Sequence, residues 1–255
     1  MVKSRYLNVL LLAAALAGGC AYRYYAGPLK PLDEEHQGGS RTVADDGTVT
    51  FTQGRLEVGL RPMTDEELNR QFSANSQGGA RSTNPYTFGN SAVFRTAETP
   101  QRFTVFRLKV ENYEYPKVLI DPGKIYLTTG NGRKYYVLTY EQLRVYFRRY
   151  LTGGADSNTD GGIPGNLYTE FTERDGLLRR TLFPKDPIFS AQDREGYVVF
   201  KPLAPDVEEL TVHIPDVVVR FDYKGDPSEM IEITMKFERE IGRRYPDGRI
   251  ELSEK

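Results

Sequence analysis

The chain has 255 residues with 34 basic and 35 acidic side chains, and a net charge of −1 supplies no global field to draw in nucleic acid or an anionic surface. One cysteine and two histidines provide no intrachain disulfide and no zinc set, so stability must come from a buried core, which a chain of this length can form. Seventeen Tyr and 13 Phe without any Trp suit half-buried strand positions.

Residues 1–19 have the three parts of a secretory signal: basic Lys3 and Arg5, an apolar run from Val9 to Ala17, then small Gly18 and Gly19. The run is too short to span a bilayer. Leu16-Ala17-Gly18-Gly19-Cys20 resembles the lipobox of bacterial lipoproteins, with the departure that Leu stands four residues before the cysteine and Ala17 takes the third place. The resemblance implies cleavage before Cys20, acylation of its thiol and the lipid bilayer as a partner. Because Ala21 follows where retained lipoproteins carry Asp, it also implies delivery to the outer membrane, facing the periplasm or the cell surface. An ordinary signal peptide or an uncleaved anchor would instead leave Cys20 as a stray thiol.

Residues 20–45 mix Pro, Gly, Tyr and charge without a period, which predicts a flexible tether. In it Tyr22, Tyr24 and Tyr25 beside Arg23 either lie at lipid headgroups or are incidental. A single mainly-β domain is expected over 46–242. Its first part, 46–100, reads as a hairpin (Val49 and Phe51, then Leu56, Val58 and Leu60), a short helix opened by the capping box Thr64–Glu67, and a long polar surface loop from 73.

The second part, 101–242, starts with strand patterns at Phe103–Val110, Val118–Ile120 and Ile125–Leu127, then a tight turn at Asn131-Gly132. A second capping box, Thr139 with Gln142, opens an amphipathic helix at 139–151 whose stripe is Leu143, Tyr146, Phe147, Tyr150 and Leu151. Residues 167–182 fit either a helix or irregular structure. Strands return at Tyr197–Phe200, Leu210–Ile214, Val217–Phe221 and the alternating Ile231, Ile233, Met235, Phe237. The charged tail 243–255 is expected to fray.

Phe103 to Asn112, the crossing marked by Pro116 and Pro122, then Ile125 and Leu127, resemble the first half of telokin-like, immunoglobulin-like domains of bacterial surface lipoproteins. Gly196-Tyr197-Val198-Val199-Phe200 and Leu210–Pro215 resemble their second half, with about fifty residues inserted between the halves in this chain. The resemblance implies an immunoglobulin-like β-sandwich carrying an inserted helix and long loops, a scaffold for protein contacts with no inherited active site.

The residues offer little for nucleophilic catalysis: His36 falls in the tether segment, Cys20 is taken by lipid, and His213 sits on the wet face of a strand. The expected function is therefore a non-catalytic binding or assembly module that meets another envelope protein. The alternatives are a carboxylate-dependent glycan hydrolase, whose two acids need no linear motif, and a calcium-stabilised adhesion module. The calcium expectation rests on Asp156, Asn158 and Asp160, which with Gly161 have the spacing of a calcium loop but meet Leu167 where a closing carboxylate belongs. The same residue types also make a plain polar connector. If these three side chains hold calcium, the ion at about one hundred times its dissociation constant stabilises the fold by about 2.7 kcal/mol. Thermal melts should then show a shift of several degrees that is specific for calcium over magnesium and absent from Asp160→Ala.

Overall fold

A computed structural model describes residues 22–77, 79–90, 100–152 and 165–253. In chain order the strands are β1 (Arg23–Ala26), β2 (Lys30–Pro31), β3 (Arg41–Val43), β4 (Val49–Gln53), β5 (Leu56–Met63), β6 (Thr104–Asn112), β7 (Lys117–Val118) and β8 (Tyr126–Thr129). They continue as β9 (Lys134–Tyr136), β10 (Ile188–Phe189), β11 (Gln192–Phe200), β12 (Glu209–Phe221), β13 (Pro227–Glu238), β14 (Ile241–Arg244) and β15 (Ile250–Leu252). The helices are α1 (Glu34–Gln37), α2 (Asp65–Gln71), α3 (Tyr140–Leu151) and α4 (Gly165–Thr181).

Two five-stranded antiparallel sheets form a β-sandwich: β11-β6-β5-β4-β3 and β2-β13-β12-β8-β9. Alternation along the strands explains which side chains fill the space between them. Phe106, Leu108 and Val110 of β6 and Val198 and Phe200 of β11 meet Val212 and Ile214 of β12 and Ile233, Met235 and Phe237 of β13 in one core. The Phe106 ring sits 5.2 Å from Phe237 and 5.9 Å from Phe200, centroid to centroid. Pro215 and Asp216 do not end the strand before Val217. They form a bulge inside the continuous β12, with Asp216 at φ 52°.

The chain changes sheets after β6, and Asn112 holds the crossing in place. Its buried amide donates to the carbonyls of Tyr115 (2.8 Å) and Ile188 (3.0 Å) while its oxygen accepts from the Tyr115 N–H (2.9 Å). The Asn131-Gly132 turn joins β8 to β9 with Gly132 at φ 81°, as its residue types predict.

Both capping boxes are present, Thr64 with Glu67 on α2 and Thr139 with Gln142 on α3. The apolar stripe of α3 buries Leu143 and Phe147 against the outer face of the first sheet, where Val105, Tyr197 and Val199 point away from the sandwich core. The range 167–182, which fits either a helix or irregular structure in the sequence, is helical through Thr181 and belongs to α4, which adds Phe171 and Leu178 to this second core, while Leu182 bridges to Tyr197.

Three expectations are corrected. Residues 22–45 of the predicted tether are paired: β1 with β14, β2 with β13 and β3 with β4. Gln37 is buried and ties the segment down by donating to the carbonyls of Leu32 and Lys236 and accepting from the Lys236 N–H. The tail predicted to fray from 243 instead contains part of β14 and all of β15, which turn back on each other at Gly248, φ 87°. The ordered domain is therefore wider than 46–242.

The polar stretch from 73 is also more than a surface loop, because Ser76, Ser82, Asn84 and Thr87 are buried and hydrogen-bonded to one another or to Asn69 and nearby carbonyls. The Asn84 amide donates to Ser76 Oγ (2.9 Å), and Thr87 Oγ1 donates to Asn69 Oδ1 (2.5 Å). Tyr86 lies beneath them with its hydroxyl 2.5 Å from Thr181 Oγ1. Asn112→Ala should cost about 2–4 kcal/mol, since it removes the side-chain partner of two carbonyls and of the Glu114 and Tyr115 N–H groups. Urea unfolding monitored by far-UV circular dichroism measures the loss.

Candidate functional site

The chain section between β9 and β11 builds a recess of about 420 Å³ between the start of α3 and the end of α4. Its floor is apolar, formed by Val137 and Leu138 before α3, Leu178 and Leu182 from α4 and the turn after it, Phe183, and Tyr197 and Val198 of β11. Backbone bonds from Leu138 N–H to the Val199 carbonyl (2.7 Å) and from Phe183 N–H to the Tyr197 carbonyl (2.9 Å) clamp both flanks onto the strand. Gly196 permits this approach: a Cβ there would stand 2.5 Å from the Phe183 Cα.

The rim is charged but internally paired. Asp175 accepts from the Tyr140 hydroxyl (2.6 Å) and from Arg179 Nε (3.0 Å), and Lys185 meets Asp121 at 2.6 Å. Burial opposes the charge on Asp175, but the hydrogen bonds from Tyr140 and Arg179 outweigh it and hold the carboxyl below its ordinary range. A dry floor inside a ring of satisfied charges suits an apolar group presented by a partner better than a free ion.

A second, larger recess of about 1250 Å³ opens between β1, the start of α2 and the segment Pro202–Pro205. Pro28, Leu29, Pro62, Met63 and Leu203 line it together with Arg23, Arg239, Asp65 and Glu66. Burial pushes the Asp65 carboxyl up to about 6, against the opposing pull of the Arg102 charge. The capping box identifies only the helix start, and nothing in the sequence marks its first residue as perturbed.

Of the residues singled out from the sequence, Cys20, Asp156, Asn158 and Asp160 lie outside the described residues. His36 sits in α1. His213 is better partnered than a solvated strand histidine: it stacks on Tyr126 at 4.5 Å, its Nε2 lies 3.0 Å from Thr128 Oγ1 and its Nδ1 lies 3.2 Å from Glu232 Oε1. The order Thr128–His213–Glu232 has the connectivity of a nucleophile, base and orienting acid. The β12 backbone here is paired with β8 on one side and β13 on the other, so the ladder already occupies the N–H groups that an oxyanion would need. Among the described residues no group of three or more His, Cys, Asp or Glu is placed to hold a metal ion, and no helix is long and apolar enough to cross a membrane.

The shifted carboxyl gives a pH test. With its folded value raised from 3.8 to about 6, Asp65 keeps its proton in the folded state while the unfolded chain releases it. Stability therefore falls as pH rises from about 4 to about 6 and levels off above. Asp65→Asn removes this loss, so the variant should exceed the native protein by about 3 kcal/mol at pH 7 and nearly match it at pH 4 in denaturant unfolding.

No family model matches this chain, and no curated protein matches it. Among solved structures, the crystal structure of MPT63, a secreted protein of Mycobacterium tuberculosis, aligns with 68% of this chain and 90% of its own at 10% identity, with a TM-score of 0.29.

Proposed function

We propose that this chain is a non-catalytic binding module of a bacterial envelope, held on the outer membrane by acylated Cys20 and docking another envelope protein. The observation that carries the reading is the apolar recess between α3 and α4, ringed by the pairs Arg179–Asp175 and Lys185–Asp121. A partner side chain of leucine or phenylalanine size buried there contributes about 1.5–3 kcal/mol. That corresponds to about tenfold or more in affinity.

The path of the chain supports the immunoglobulin-like scaffold. β6 ends at Asn112 in one sheet, the Pro-marked crossing delivers β8 to the other, and β11 returns beside β6 before β12 joins β8. The helices inserted between these halves supply two walls of the recess, so the departure from the plain sandwich is where the site lies. The glycan-hydrolase alternative draws on Asp65 in the larger recess. It needs a second acid facing Asp65 across a substrate, and Glu66, the other acid lining that recess, is the next residue on the same short helix.

Photo-cross-linking in intact membranes tests the reading. A photoreactive residue at Arg179 should capture one defined envelope protein, and the same residue at Tyr223, in the exposed turn between β12 and β13, should capture none. Cys20→Ser should abolish fatty-acid labelling and release the chain from membranes. Equal capture at both positions, or glycan hydrolysis that Asp65→Asn abolishes, overturns the proposal.

A further inference from the structure

We infer that the tip of the ribbon formed by β1, β14 and β15 is a docking surface for an anionic phospholipid membrane. The inference rests on the proposed acylation of Cys20 and adds to it a second, non-covalent contact.

Chain length supplies the first argument. Tyr22 is two residues from Cys20, so its Cα lies within about 7 Å of the acylated residue's even at full extension. Tyr22 is the residue before β1, whose partner β14 leads into the turn Tyr245–Arg249. Any membrane that holds Cys20 is therefore in reach of this end of the ribbon.

Composition supplies the second. Residues 22–26 and 241–252 carry four cations (Arg23, Arg243, Arg244, Arg249) and two acids (Asp247, Glu251), a net of 4 − 2 = +2 in a chain of net −1. Apolar and aromatic side chains are exposed among them: Tyr22 at 38%, Tyr24 at 66%, Ile250 at 39% and Leu252 at 47%. Residues paired across an antiparallel ladder share a face. Tyr24 therefore sits with Arg243 on one face, and Arg23 with Arg244 and Ile250 on the other.

The cations are held against rings, Arg243 at 4.8 Å from the Tyr22 centroid and Arg249 at 4.4 Å from that of Tyr245. Tyrosine rings and arginines snorkelling beside them favour the boundary between acyl chains and headgroups, and the cations find phosphate there. With cation and apolar surface on both faces, the tip stands into the headgroup layer and does not lie flat on it. Charge complementarity selects anionic lipid, each cation shifting the seated population by about fivefold.

The absence of tryptophan from the sequence provides a clean test. The full acylated chain bearing Tyr24→Trp is reconstituted into vesicles whose lipids carry a shallow quencher, made either of phosphatidylcholine or of an equal mixture with phosphatidylglycerol. A second chain bearing Tyr223→Trp reports the distant end of the β12–β13 hairpin. Strong quenching of the first reporter only, greater in the mixed vesicles, is the expected result, and reversing Arg23, Arg243 and Arg249 to Glu should reduce it to the level of the second. The change of lipid tests the charge dependence on an unaltered ribbon, so a misfolded triple variant does not decide the matter. Fatty-acid labelling of the same samples separates the two readings. A labelled chain whose two reporters are quenched alike, or whose first reporter is unquenched in mixed vesicles, overturns the docking surface and leaves the anchor standing. An unlabelled chain overturns both.

Discussion

Strand β6 is paired on both sides, to β5 and β11, and is dry on both faces over its first half. Phe106 points into the sandwich and Val105 into the layer beneath the helices, both essentially without solvent contact. Further along, Leu108 and Val110 stay in the core while Arg107, Lys109 and Glu111 take the outer positions. This switch on the outer face decides the architecture: where it is apolar, α3 and α4 must cover it, and where it is charged, the sheet faces water. The recess between α3 and α4 falls along this covered half, because the helices reach Tyr197 and Val199 but leave Leu138, Leu182 and Phe183 to close their own margin.

Covering that half-sheet brought two cations inside. Arg174 of α4 has no exposed surface and Arg102 very little. Burial lowers both guanidinium pKa values, and the neighbouring Arg102 charge lowers that of Arg174 further. The sequence answers this with aromatic faces and carbonyls. Arg102 lies 4.1 Å from the Phe88 centroid and 4.6 Å from that of Tyr150, while Arg174 donates to the Ser82 carbonyl at 2.5 Å and keeps Glu170 at 3.7 Å. Residues 79–87 are held in place because Arg102 and Arg174 donate to the carbonyls of Asn84 and Ser82, and Ser76, Asn84 and Thr87 are hydrogen-bonded under the same cover.

What could be read from the sequence follows from how local the signal is. Period-2 strands such as Ile231–Phe237, the capping boxes at Thr64 and Thr139 and the turn at Gly132 are each specified by neighbouring residues, and each is present. The α4 stripe was ambiguous because its position between Phe171 and Leu178 is Arg174, a charge that no hydropathy pattern assigns to a core. The buried residues of 73–77 and 79–90 carry no such signal, because their interior is built from hydrogen bonds between polar groups and not from apolar area. The N-terminal ribbon was missed because Arg23 pairs with Arg244, at the opposite end of the chain, and because prolines suppress the local strand signal. Pro31 is tolerated because β2 is an edge strand with one neighbour. The recess itself was invisible: its residues were recognised as strand and helix positions, but not that Gly196 brings Phe183 against β11.

The ribbon also changes how a membrane-bound domain would present that recess. A free linker of 24 residues, the length from Ala21 to Ala44, would let the domain wander over about 25–30 Å. Pairing removes that freedom: β1 is held by β14 in a small three-stranded sheet, β2 by the edge of the second sheet at Phe237–Pro31, and β3 by the edge of the first. The turn that forms one lip of the recess is tied to β12 by Lys124 and Asp216 at 2.7 Å. Asp216 stands seven residues from the Glu209 end of β12, where the ribbon departs, or about 20 Å along the strand. On the proposed acylation of Cys20, the paired N-terminal segment would limit how far the recess moves from the lipid. Selectivity for the proposed partner would then come from geometry as much as from the chemistry of the floor.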